Sequence, residues 1–595
     1  MDSTTQPAAK KSKRTSQSFA LGAMIMAVGM IIVKIAGAAF KVPLAYILGG
    51  VGSGYFNIAY NLYNPLYALA TAGLPIAISR MVAKDVANNR FKDVKMIHKI
   101  SVPIFVTTGL IGMLLMFLGA QACVNFTNSP GALYSIIVLA PTVFFSCLIS
   151  IYKGYYEGLR NMIPTAVSEI VEAIGKVVFG LGFASAAVDC GMNEYYNYGT
   201  VFGKYCENEI IAQGATLPFA SAGAVLGITL GSISGFLYIF IKYKISGDGI
   251  TEHEIQNSVE ARPRKTLIKM LLNIAVPVAL GAIIMQLAGA IDALLVLRRL
   301  NDIMQTCPKL LIDAYDGIIP AEVIADGKIH NFLAGCLAYM NTVTMLLPTL
   351  TQSISISALP TITAAWVGGV KENIKKNIET VMKITAMIAF PAGIGLSVLS
   401  HPIMNLIYNT LGKNTQQGEI YISAEIMTLY AIGIIFSAMS TPICGMLQAV
   451  GKPNYPVIIL TIGMIIKIVL NYILVGIPQI NIQGAGIGTL VCYLFICVAG
   501  IYLLERITKC RFNIKNVFIK PLICSILCGV GAYAGYGLFS RFINSKIATL
   551  IAIVIAVLVY VISIFATRTV NSDDLKSIPK CKKIVKVLEK WHLVG

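Results

Sequence analysis

Apolar runs of about 20 residues, separated by short polar or Gly- and Pro-bearing connectors, recur along nearly the whole chain. Each is long enough to cross a bilayer core of roughly 30 Å. Backbone groups in lipid must be satisfied within their own segment, so the runs predict helices. Strand-like alternation is absent, which argues against a barrel. Fourteen spans are predicted, near 17–40, 53–79, 101–123, 132–153, 164–188, 218–241, 267–296, 331–356, 378–400, 423–448, 455–476, 484–504, 516–540 and 546–567. Short connectors make sequential spans antiparallel neighbours. Two outward loops are long, 189–217 and 297–330, and neither has room for a catalytic domain.

Composition agrees with this pattern. Of 595 residues, 56% are hydrophobic and 13% charged, where a soluble chain carries about a quarter charged. The formal net charge of +19 would suit nucleic acid, but its distribution does not. Most of the Lys and Arg fall on one side of the predicted spans: in the N-tail (Lys10, Lys11, Lys13, Arg14), in loops after even-numbered spans and in the C-tail (Lys576, Lys580, Lys582, Lys583, Lys586, Lys590). That asymmetry places both termini in the cytoplasm and favours contact with anionic membrane lipids. No basic motif interleaved with aromatics points to nucleic acid. The N-tail and the run after it resemble a signal peptide, but the run continues through Lys34 and Gly37 without a convincing cleavage site, which predicts an uncleaved first helix. The thirteen Cys include no CxxC and no zinc spacing, so no metal or cofactor is expected. Cys190 and Cys206 share one outward loop, where a disulfide can form.

An internal repeat sets the organisation. Ala72-Gly73-Leu74-Pro75 near the end of span 2 is echoed by Ser357-Ala358-Leu359-Pro360 near the end of span 8. Gly158-Leu159-Arg160 before span 5 is echoed by Met446-Leu447-Gln448 before span 11, and Lys176-Val177-Val178 by Lys467-Ile468-Val469. The echoes keep their order six spans apart, so the repeat is parallel. The expected plan is an all-α polytopic membrane protein with two six-helix lobes related by a pseudo-two-fold and two extra C-terminal helices. Its parts are a basic cytoplasmic tail (1–16), an N-lobe (17–243), a cytoplasmic linker (244–266), a C-lobe (267–505), two further spans (516–567) and a second basic tail (568–595).

Ionisable residues inside a span are costly and rarely face lipid, so each is a candidate site residue. Span 1 carries Lys34 and Lys41, two turns apart on one face. Lys41 can snorkel to the outer interface, whereas Lys34 lies too deep to do so. Span 2 presents a polar stripe, Asn57, Tyr60, Asn61 and Asn64, which suits either an interhelical contact or a hydrated cavity. Span 5 carries Glu169, Glu172 and Lys176, the last two spaced to pair along the helix. Arg80, Lys153 and Arg160 lie near cytoplasmic ends, where snorkelling accounts for them as readily as a substrate contact. Asp292 in span 7 is the candidate for a cation or proton, Na+ or H+. Lys467 and Asn471 sit one turn apart in span 11, and Gln352, Ser353, Ser355 and Ser357 make the end of span 8 polar. A cavity with several cations and few carboxylates should attract an anion such as a diphosphate. No HExxH, P-loop or GxSxG is present, and the five His are scattered, so enzymatic activity is not expected.

These residues carry a resemblance. Lys34…Gly37…Lys41…Pro43, Gly54-Tyr55, Tyr60-Asn61-Leu62-Tyr63 and Thr71-Ala72-Gly73-Leu74-Pro75-Ile76-Ala77-Ile78-Ser79 form its first part. Gly154-Tyr155-Tyr156-Glu157-Gly158…Pro164-Thr165-Ala166…Glu169…Glu172 and Gly484-Ala485-Gly486-Ile487-Gly488-Thr489 continue it. The chain resembles the multidrug/oligosaccharidyl-lipid/polysaccharide (MOP) superfamily, on the branch of stage V sporulation protein B and the MurJ-like lipid II flippases. The resemblance implies a monomeric flippase that carries a polyprenyl-diphosphate-linked saccharide, a peptidoglycan precursor, to the outer leaflet by alternating access. It assigns the diphosphate to cations matching Lys34, Lys41 and Arg80. Lys stands here where relatives often have Arg, and 189–217 looks like an insertion. A cation-coupled multidrug exporter would need a carboxylate-rich N-lobe cavity. A membrane-embedded enzyme would need an Asp/His constellation, and a non-transporting scaffold of envelope or spore assembly would move no lipid by itself.

Overall fold

The computed structural model describes residues 19–68, 71, 73–315, 317–409, 417–567 and 569. The tail lysines named above, Ala72 and Asp316 lie outside the described residues, as do the side chains of Ser353, Ser357 and Pro360. The described chain is almost wholly helical, with one two-stranded hairpin. It forms two compact units. Among the described residues, the first comprises those up to 48 and those within 55–290, the second those within 49–54 and from 291 onward.

In the first unit, α1 (Phe19–Ala68) is one helical run broken at Gly49, whose φ of 57° and ψ of −172° no helix accommodates. The residues expected as spans 1 and 2 are thus joined, and Met24–Ala68 forms a single run of 45 residues. At 1.5 Å per residue that run is far longer than one crossing needs. For this reason thirteen, not fourteen, helices among the described residues are long and apolar enough to cross a membrane. After α1 come α2 (Leu74–Ala87), α3 (Phe91–Thr127), α4 (Leu133–Gly158), α5 (Ile163–Tyr198), α6 (Glu209–Ser246), the short α7 (Glu252–Gln256) and α8 (Arg264–Thr306), in which the division between the units falls.

The helices of this unit pack through small residues, as lipid-embedded helices do when no hydrophobic drive separates them from lipid. Gly223, Gly227, Gly231 and Gly235 recur every fourth residue on α6. A Cβ on Gly227 would collide with the backbone of Gly180 on α5. Hydroxyl pairs join α4 to α6, Ser135 with Ser221 at 2.9 Å and Thr142 with Thr229 at 2.7 Å, so these buried polar groups are satisfied. The expected long loop 189–217 is largely helix. α5 continues to Tyr198, and a hairpin pairs Thr200–Val201 with Lys204–Tyr205 before α6 begins at Glu209. The Glu194 carboxylate holds this hairpin by accepting from Thr200 Oγ1 at 2.7 Å and from the backbone N–H groups of Phe202 and Gly203 at 3.0 Å. Cys190 is an exposed thiol and Cys206 a buried one, and neither is in a disulfide.

The linker is moored to the same unit. Lys95 on α3 pairs with Asp248 at 2.6 Å, and Tyr155 on α4 donates to the same carboxylate at 2.6 Å. Arg262 pairs with Asp93 at 2.9 Å and also with Asp85. Burial pushes the Asp248 carboxyl up, but the Lys95 ammonium and the Tyr155 hydroxyl outweigh it and hold the group below the usual carboxylate range.

The second unit contains α9 (Pro308–Asp313), α10 (Ala321–Ala325), α11 (Ile329–Thr344), α12 (Leu346–Gly368), α13 (Lys371–Val398), α14 (Ser400–Tyr408), α15 (Gln417–Ala449), α16 (Asn454–Val475), α17 (Gly484–Thr508), α18 (Lys520–Phe539) and α19 (Ser545–Ala566). α15 is its axis, buried along most of its length against α11, α12, α13 and α17. α18 and α19 form a hairpin against α13 and α14, with Ala532, Ala552 and Ala556 packed around Leu399. The expected loop 297–330 is again partly helical, because α8 runs on to Thr306 and α9 and α10 follow.

Candidate functional site

Polar constellations lie within helices of membrane-spanning length in both units. In the first unit, Phe56, Tyr60, Tyr63 and Tyr67 follow one another at helical spacing on α1 and share a face. Their rings form a ladder: Phe56 stacks on Tyr60 at 5.4 Å, Tyr60 meets Tyr63 at 5.6 Å, and Tyr63 meets Tyr67 at 5.2 Å. Lys176 on α5 donates to Tyr60 Oη at 3.3 Å and lies 5.0 Å from the centroid of Phe40. At that range a desolvated ammonium gains from the ring quadrupole. Glu172 does not pair with Lys176 along the helix, but accepts from Ser232 on α6 at 3.1 Å. Tyr60, Tyr63, Asn64, Tyr67, Glu172 and Lys176 line a cavity of about 140 Å³.

The span 1 cations belong to the same neighbourhood. Lys41 lies within electrostatic range of Tyr60, Lys176 and Lys34, and no carboxylate is among the groups acting on it. Lys34 and Lys41 both expose their side chains. From the sequence-expected residues, the cavity gathers Tyr60, Asn64, Glu172 and Lys176, with Lys41 in electrostatic range of Tyr60 and Lys176, while Lys34 acts on Lys41 and does not line the cavity. Asn57 and Asn61 are half-buried and do not line the cavity, and the Asn61 Nδ2 is buried without a hydrogen-bond partner. Lys153 is paired with Glu169 at 3.2 Å, which gives both a structural partner. Arg80 is exposed at α2, and Arg160 is exposed in the turn between α4 and α5 with a left-handed φ of 59°.

In the second unit, Asp292 has both carboxylate oxygens engaged. Lys467 Nζ lies 3.0 Å from Oδ2, and Asn471 Nδ2 donates to Oδ1 at 2.6 Å. A Cβ on Gly488 would strike the Asn471 side chain, so a glycine there lets α17 approach this group closely. Asp292, expected from the sequence as a cation or proton site, has Lys467 of α16 as its ion-pair partner.

A third group was not foreseen from the sequence. Glu419, in the first turn of α15 and 7% exposed, accepts from the backbone N–H of Gly50 at 2.6 Å and from Tyr339 Oη at 3.3 Å. Ser53 donates in turn to Tyr339 Oη at 3.4 Å. Gly50 and Gly54 lie so close to α11 that a Cβ on Gly54 would strike the Asn331 carbonyl. The break at Gly49 frees the Gly50 N–H from helix bonding, and Glu419 satisfies it. The available signal was a carboxylate at the head of an apolar run. Among the described residues no group of His, Cys, Asp and Glu is arranged to hold a metal.

Fold and site together define a polytopic helical membrane protein whose ionisable groups are gathered between helices, the arrangement found in transporters. Comparison with known proteins narrows this class. A family model described as lipid II flippase MurJ matches residues 331–570, and one described as polysaccharide biosynthesis protein matches 19–187. Lipid II flippase MurJ of Bacillus subtilis is 23% identical over 549 residues, 90% of this chain and 92% of that protein. Stage V sporulation protein B of the same organism is 22% identical over 578 residues, 96% of this chain and 99% of that one. Among solved structures, an inward closed lipid II flippase MurJ superposes with a TM-score of 0.57 at 16% identity, covering 91% of this chain and 98% of that one. An inward-facing multidrug resistance MATE family transporter of the MOP superfamily gives a TM-score of 0.57 at 14% identity, covering 80% and 99%. The chain is a homologue of MurJ and of stage V sporulation protein B, and it carries the fold of the MOP superfamily.

Proposed function

We propose that this protein is a flippase for a polyprenyl-diphosphate-linked saccharide, a peptidoglycan precursor of the lipid II type, and that it works by alternating access with both termini in the cytoplasm. The observation that carries the reading is the placing of Lys41 and Lys176 beside Tyr60, with Lys34 acting on Lys41 and no carboxylate among the groups that do. An ammonium at the centre of a spanning helix costs about 2.5–3.5 kcal/mol by insertion scales unless water or an anion compensates it. A diphosphate supplies the compensating charge, and lysine binds it as a point charge from several directions. Lys34 and Lys41 make the first contact, Arg80 assists at the cytoplasmic end, and Tyr60 with Asn64 offers neutral hydrogen bonds. The homologous flippases support this substrate class. The first-unit cavity is lined by one carboxylate, Glu172, rather than the several a cation-coupled exporter would need.

The test is lipid translocation by purified protein in proteoliposomes. Lys34→Ala should abolish flipping while insertion and folding persist, and Lys34→Arg should retain part of it, because the charge stays and the donor shape changes. Full activity of Lys34→Ala at normal protein levels would refute the diphosphate role.

A further inference from the structure

Four carboxylates are buried among the described residues: Asp85, Asp93, Asp292 and Glu419. Three of them have a cation beside them, Arg262 for Asp85 and Asp93, and Lys467 for Asp292. Glu419 stands apart. Among the described residues the groups that hold it are neutral, the Gly50 N–H at 2.6 Å and Tyr339 Oη at 3.3 Å, and no lysine, arginine or histidine acts on it.

The whole of this site lies in the second unit, to which residues 49–54, α11, α14 and α15 belong. Its titratable neighbours there are weak acids, Cys336 and Tyr339 on α11, with Tyr408 of α14 stacked on Tyr339 at 5.1 Å between ring centroids. His330, at the start of α11, is joined to the Asn331 side chain at 2.9 Å. Burial favours the neutral form of the Glu419 carboxyl, whereas each donated hydrogen bond favours the anion. With no fixed charge among the described residues to decide between them, the proton decides.

The two states hold the backbone differently. An anion accepts a charge-assisted bond from the Gly50 N–H, roughly twice as strong as the bond a neutral carboxyl accepts. Gly50 depends on that bond, because the break at Gly49 takes its N–H out of the helix and the residue is buried. Close packing on α11 adds to this, since a Cβ on Gly335 would strike the Gly50 carbonyl. Along the chain the break falls between Lys41 and Tyr60, so it joins the two stretches of α1 that carry candidate site residues.

We propose that Glu419 is a proton-binding site, a latch that holds the broken segment of α1 when ionised and loosens it when protonated. The proposal deepens the flippase reading, and only its consequence for transport rests on that reading: a loosened break lets α1 rearrange, so translocation quickens as the proton binds.

The test reads the latch and transport separately on the full-length protein. Hydrogen exchange of residues 49–54, corrected for the intrinsic effect of pH, is followed from about pH 9 to about pH 5. Protection in wild type should fall at least about fivefold on acidification, as a charge-assisted bond gives way to a neutral one. Glu419→Gln keeps an acceptor without the charge, so its protection should stay at the acid level throughout. Lipid translocation in proteoliposomes, with the same pH on both sides, should rise severalfold in wild type over this range and stay level in Glu419→Gln. Wild-type protection that ignores pH, or a Glu419→Gln variant that follows pH as wild type does, would overturn the proton site with the flippase reading intact. A variant whose translocation keeps the wild-type pH dependence would overturn the part of the latch in transport. A wild type that moves no lipid would remove the flippase reading, and the exchange data would then decide the proton site alone.

Discussion

Replacing Lys467 by Met tests whether the ion pair inside the second unit is structural. The substitution removes the ammonium 3.0 Å from Asp292 and leaves a carboxylate whose side chain is 9% exposed with Asn471 as its remaining partner. Breaking a buried pair by removing one member costs about 3–5 kcal/mol, because the other charge is left desolvated and uncompensated. Asp292→Asn should cost a similar amount by stranding the ammonium, whose side chain is 15% exposed. Removing both charges together should be far milder than the sum, since replacing a whole buried pair is often close to neutral. The assay is unfolding of the detergent-solubilised protein in increasing SDS, followed by circular dichroism, on wild type, both single variants and the double variant. Sodium should not stabilise the wild type, because a ligand raises stability only by binding the folded state and this carboxylate is already neutralised. Single variants within about 1 kcal/mol of wild type, costs that simply add, or a sodium-dependent rise in wild-type stability would each refute the reasoning.

Three further expectations follow from other parts of the structure. Glu419→Leu should destabilise the protein by about 1–3 kcal/mol, the cost of orphaning a buried N–H such as that of Gly50. Glu419→Gln keeps an acceptor and should cost less, both being read from SDS unfolding midpoints. Asp248 has a depressed carboxyl in the folded chain, so its contribution is present above the unfolded value near 3.9 and is lost as pH falls through the lower folded value. Hydrogen exchange across 247–262 should therefore show no Asp248-linked loosening between about pH 5 and 8, whereas Asp248→Asn should loosen the segment at neutral pH; a wild type that loosens on going from about pH 8 to 5 would contradict the sign. Reporter fusions at residues 5 and 590 should report the cytoplasm and one at 315 the outside, and an outward C-terminus would remove the proposed topology.

Much of this architecture was legible in the sequence because it depends on sums over neighbouring residues. Twenty apolar residues in a row specify a spanning helix whatever surrounds them, since lipid leaves backbone groups no partner outside the segment. The ordered small-residue and Pro motifs carried the family likeness, and ionisable residues within spans, Lys34, Lys41, Glu172 and Asp292 among them, marked positions that are costly in lipid. The partners of those residues could not be read, because they come from far along the chain. Lys176 and Tyr60 are 116 residues apart, Asp292 and Asn471 179, and Gly50 and Glu419 369. The spacing of Glu172 and Lys176 allowed an intrahelical pair, yet tertiary packing gave Ser232 to one and the Tyr60 hydroxyl to the other. Likewise the partner of Asp292, Lys467 on α16, could not be read from the sequence around it. Hydropathy separated the first two spans, whereas the backbone joins them in one run with its break at Gly49. Local sequence thus determined which segments enter the membrane and which residues are costly there. Which polar group compensates which was decided only when the helices packed, since a buried charge or amide is satisfied by whatever lies within about 3 Å of it in space.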